Sequence, residues 1–117
     1  MEKLTQFIEY LKLQQAEHLE IARQLAADDR EDESILEKIH ANIFDIFITV
    51  SQTPAATSDS VARLMERIPA AWHESLKQAI LYKDHEKEAQ ERVKIAAMTE
   101  IEAKFASIVL EGDCNGR

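Results

Sequence analysis

Two glycines and two prolines in 117 residues leave this chain few places to turn. A β-sandwich or β-barrel needs frequent tight turns, and Gly and Pro are the residues that make them without strain. Helices need only caps at their ends. Ala, Glu, Leu, Lys, Gln and Ile dominate the composition, and most of them are strong helix formers. The chain therefore reads as all-α. Its length suits one domain of about 100–150 residues, and a chain of this size buries about two thirds of its unfolded surface without staples. That domain is expected over residues 1–111, with 112–117 as a flexible tail that starts at the helix-stopping Gly112.

Apolar periodicity places the helices. Leu4, Phe7, Leu11, His18, Ile21 and Leu25 recur at steps of three and four, with Gln14 filling the missing step, which puts them on one helical face. This predicts a first helix over about 2–27. The acidic stretch Asp28-Asp29-Arg30-Glu31-Asp32-Glu33 interrupts the pattern and supplies capping and dipole-matching carboxylates for the next helix. A second helix is predicted over about 32–52, with Leu36, Ile39, Ile43, Ile46 and Val50 as its stripe. Ile35, Phe44, Phe47 and Ile48 widen that stripe until only Lys38, Asn42, Asp45, Thr49 and Gln52 form a polar strip. Such a helix is buried on several sides. The run from Ile43 to Val50 also has β-propensity, but it lacks the period-two alternation of a half-buried strand.

Thr53-Pro54-Ala55-Ala56-Thr57 is a loop, because Pro54 excludes the α conformation at Thr53. Thr57, Ser58 or Asp59 can cap a short third helix that carries Val61, Leu64, Met65 and Ile68 inward, and Pro69 ends it. From residue 70 to 110 no Gly or Pro occurs, and a single long fourth helix is predicted there. Trp72, Leu76, Ala79 and Ile80 form an apolar face at one end of it. Met98, Ile101, Phe105 and Ile108 form another at the far end, with a polar segment over 83–92 between them. At 1.5 Å per residue such a helix spans about 60 Å, twice the roughly 30 Å of the second helix. One bundle cannot cover both apolar ends, so either the chain turns back within 83–92 or a second subunit covers the protruding end. The turn has little local support, because the segment offers strong helix formers and no Gly, Pro or Asn. The architecture expected is thus an antiparallel helical bundle of about four helices, two long, one short and one long. A homodimer is expected to cover Met98, Ile101, Phe105 and Ile108 across a two-fold interface.

Function is less legible. Fourteen basic against twenty-two acidic residues give a net charge of −8, which repels phosphate backbones and argues against nucleic acid. No apolar run approaches the roughly 20 residues of a membrane span. The N-terminal residues lack the charged-then-apolar pattern of a signal peptide, and one cysteine, Cys114, excludes an internal disulfide, so the cytoplasm is the expected compartment. No nucleophile has a base beside it, and no phosphate-binding loop or paired Cys motif occurs, so neither an enzyme nor a cofactor is expected.

One spacing suggests a site. Glu37-x-x-His40 puts a carboxylate and an imidazole on one helical face, as carboxylate-rich metal bundles require. Antiparallel pairing of the first two helices brings His18 within about a turn of His40. His18, Glu37 and His40 can thus form a polar layer, read first as a structural layer that fixes helix register and alternatively as a metal site. The function expected from sequence is a small acidic interaction or regulatory module, with a metal-binding bundle as the alternative.

Overall fold

A computed structural model describes residues 2–110. Among them are five α-helices, α1 (Glu2–Ala27), α2 (Glu31–Ser51), α3 (Ser58–Arg67), α4 (Ala70–Leu81) and α5 (His85–Phe105), and a π-helical segment (Ala106–Leu110) that continues α5. Among the described residues there is no strand, and no helix is long and apolar enough to cross a membrane. The tail expected over 112–117, with Gly112 and Cys114, lies outside the described residues.

Helices α1 and α2 form an antiparallel hairpin. Residue numbers rise along one as they fall along the other, from Gln15 Nε2 to Asp45 Oδ1 (3.3 Å), through His18 to Glu37, to Ser34 Oγ, which donates to the Ala22 carbonyl (2.7 Å). The hairpin turns at Asp29, whose φ of 63° lies in the left-handed region. Arg30 N–H donates to Leu25 O and Asp29 N–H to Ala26 O, the paired bonds of a Schellman motif that satisfies the last carbonyls of α1. Glu31, Asp32 and Glu33 then occupy the first turn of α2, where the helix dipole favours negative charge.

The core forms between α1, α2 and α5, with α3 closing one side. Leu4, Phe7 and Leu11 of α1 are buried against Phe44, Phe47, Ile48, Ile101 and Phe105, and Phe7 meets Phe105 edge to face at 5.1 Å. Burial in α2 differs in detail from its sequence stripe. Ile43 is buried as expected, but the deepest positions also include Ala41, Phe44 and Phe47, while Ile46 and Val50 are only partly buried. The reason is that α2 packs on α1 along one side and α5 along another, so the residues between both neighbours go deepest. Helix α3 begins with a capping box between Thr57 and Ser60, and it buries Val61 and Met65.

One expectation needs correction. Residues 70–110 are two antiparallel helices rather than one long one. Helix α4 ends in the same motif that ends α1: Lys83 takes φ 57°, Asp84 N–H donates to Ala79 O, and Lys83 N–H donates to Ile80 O. The Asp84 side chain accepts from Lys87 N–H and starts α5. Lys tolerates the left-handed region at a cost of about 1–2 kcal/mol, so the turn is held by its hydrogen bonds and by packing of α4 on α5. The far apolar end consequently folds back onto its own chain. Met98, Ile101 and Phe105 are 2%, 0% and 2% exposed within the single chain, and Ile108 packs at the edge of that core. Helix length therefore no longer calls for a partner subunit.

Candidate metal centre

The return of α5 also completes the polar layer. His18 and His40 face each other across the α1–α2 hairpin, with ring centroids 3.9 Å apart and planes 21° from parallel. Phe44, one turn beyond His40, stacks on both imidazoles at 5.7 and 5.3 Å. It gives the pair an apolar floor. Glu37 Oε1 lies 2.7 Å from His18 Nδ1. A carboxylate only accepts, so Nδ1 carries the proton, and Nε2 of the neutral ring keeps the lone pair.

Helix α5 adds Glu100, whose Oε2 is 3.9 Å from His40 Nε2. That separation is too long for a hydrogen bond, and the buried His40 Nε2 has no hydrogen-bond partner. An orphaned buried polar atom costs about 1–3 kcal/mol. Burial, and after it the neighbouring His18, push the pKa of His40 below the ordinary histidine value, while Glu100 and Glu37 pull it back up. The neutral imidazole thus favoured is the form that ligates metals. Tyr10 of α1 also feels the Glu100 charge. Burial and that charge raise the phenol's pKa, and Lys104 Nζ sits 5.0 Å over the Tyr10 ring.

The structure thus brings together His18, Glu37 and His40 as the sequence pairing implied, and it adds Glu100. Sequence spacing could not reveal Glu100. It precedes Ile101 at the edge of the apolar stripe on α5, and nothing local shows which helices that edge faces. The half-buried Trp72 packs against the core, and His73 and His85 lie at the surface.

No protein-family model matches the chain, and no curated protein or solved structure matches it either. The site must be read from its own chemistry.

Proposed function

We propose that this chain is a metal-binding helical bundle that takes one divalent transition-metal ion on His18 Nε2, His40 Nε2 and Glu100. The observation that carries this reading is convergence: one ligand atom from each of these residues, on three different helices, lies within 4.8 Å of the other two. Two neutral imidazoles and one carboxylate suit Zn(II) or Fe(II), whereas Ca(II) and Mg(II) prefer all-oxygen shells. Glu37 holds the Nδ1 proton of His18, the outer carboxylate that commonly orients a ligating histidine. The ion would also satisfy the orphaned His40 nitrogen.

Closing the site needs a small rearrangement. With metal–ligand bonds of about 2.0–2.1 Å, neighbouring donors in a tetrahedral site lie about 3.3 Å apart. Two nearly parallel rings cannot both point lone pairs at one ion, so one imidazole must turn about χ2, a soft torsion. The side chains are partly exposed, with 17% for each histidine and 38% for Glu100, which leaves room for that movement. The approach of Glu100 and the unpartnered His40 nitrogen support metal binding over a purely structural layer. Binding alone is proposed, with no reaction assigned.

The test is elemental analysis of untagged protein loaded with zinc and dialysed. One ion per chain is expected, falling below a tenth of that in folded His40→Ala and Glu100→Ala variants. Retention of zinc in both variants, or none in the parent protein, would overturn the reading.

A further inference from the structure

The number of protein donors separates two kinds of metal site. A structural zinc ion has its shell closed by four side chains, whereas a site with three keeps a position for water or a ligand. Two histidines and one carboxylate with open positions are likewise the pattern of iron(II) sites that take a ligand from outside. The cluster gathered here among the described residues is His18, His40 and Glu100.

The surroundings do not supply a fourth donor. Glu37 Oε1 is held 2.7 Å from His18 Nδ1, and the two ring nitrogens point away from one another, so that carboxylate stays on the far side of the ring from the ion. Phe44 stacks on both imidazoles and offers no lone pair. Tyr10 lies two turns before His18 on α1, about 12 Å along the axis. Gln14, one turn before His18, offers only a neutral amide. Water reaches the cluster on the side away from Phe44, where the Glu37 and Glu100 side chains are 29% and 38% exposed. Ala96, one turn before Glu100 on α5, is also exposed and too small to cover that side.

We infer that the ion bound by His18, His40 and Glu100 keeps one coordination position for an exchangeable water, which small monoanions such as azide or acetate replace. The exchange is balanced: water leaves with its lone pair, the anion donates its own, and the metal keeps its oxidation state. A divalent ion on two neutral imidazoles and one carboxylate carries one net positive charge, which matches a monoanion. Outside that shell, Glu37 behind His18 and Lys104 over the Tyr10 ring are opposite in sign. The site is thus a receptor for a small carboxylate-like ligand rather than a clamp between helices. This inference rests on the metal reading above.

Cobalt(II) in place of zinc tests it, because its visible bands move when a directly bound ligand changes. In the parent chain, bands are expected to saturate at one equivalent and to shift saturably with millimolar azide, the cobalt remaining bound through a desalting column. Folded Gln14→Ala is expected to keep the bands and the shift, and His40→Ala to lose both. Bands in the parent that ignore azide, or that change in Gln14→Ala, would overturn the open position and leave metal binding standing. Cobalt released by azide would overturn it as well. An azide-sensitive spectrum that persists in His40→Ala, or no cobalt bands at all, would overturn the metal reading and this inference with it.

Discussion

His18 and His40 stack ring on ring at 3.9 Å, one from each arm of the α1–α2 hairpin. A proton on either ring raises the cost of a proton on the other. For His40, burial is the larger cause and His18 the second; Glu100 and Glu37 oppose both without cancelling them, so its folded pKa lies below the ordinary histidine value. As pH falls, the unfolded chain therefore takes up this proton before the folded one. The stabilising contribution is complete above about pH 6.5 and is lost as pH falls through the folded pKa. Metal-free protein should show a lower urea midpoint at about pH 5 than at about pH 7.5, and His40→Gln should show a smaller fall. Equal falls in the two proteins would mean that His40 is not the group responsible.

Lys83 gives a prediction whose sign separates two architectures. At φ 57° it pays for a side chain in the left-handed region. Lys83→Gly should therefore stabilise the protein by about 1 kcal/mol in urea denaturation. In an uninterrupted helix the same substitution would cost about 1 kcal/mol. A destabilised variant would restore the single long helix over 70–110 and remove Glu100 from the site.

Burial in α2 ranks the cost of truncation. Ile43 is 2% exposed, Ile46 is partly buried, and Lys38 is exposed. Ile43→Ala should cost about 2–5 kcal/mol, Ile46→Ala less, and Lys38→Ala within about half a kcal/mol. Chemical denaturation giving equal costs for Ile43→Ala and Ile46→Ala would show that the register of α2 is misplaced.

Much of this fold was legible because helices leave a periodic trace. Leu4, Phe7 and Leu11 could be assigned to the core from their spacing, and the cap of α3 could be narrowed to Thr57, Ser58 or Asp59, of which Thr57 takes the role. The pairing of His18 with Glu37 and His40 followed from one antiparallel hairpin. The turn at Lys83 stood only as the less favoured alternative, because nothing at that residue announces a left-handed backbone. The chain breaks there through hydrogen bonds from Lys83 and Asp84, and through the side-chain cap that Asp84 provides. Asp84 three residues before Lys87 was the available signal, hidden in a segment of good helix formers. Setting that turn second misplaced everything after it. Met98, Ile101 and Phe105 went to a partner rather than to the core, and Glu100 dropped out of the site. Spacing puts Ile80 on the apolar face of Trp72 and Ala79, and the end of α4 leaves it exposed.

Nitrogen-resolved NMR of the histidine rings during zinc titration tests the central claim most directly, because it reports each ring nitrogen separately. At one equivalent, Nε2 of His18 and Nε2 of His40 should shift to metal-bound positions together, while His18 Nδ1 keeps its proton on Glu37. His73 and His85 should not respond, and Glu100→Gln should weaken the response at least tenfold in zinc concentration. Unmoved His18 and His40 resonances at one equivalent, or a response confined to His73 and His85, would contradict metal binding at this layer.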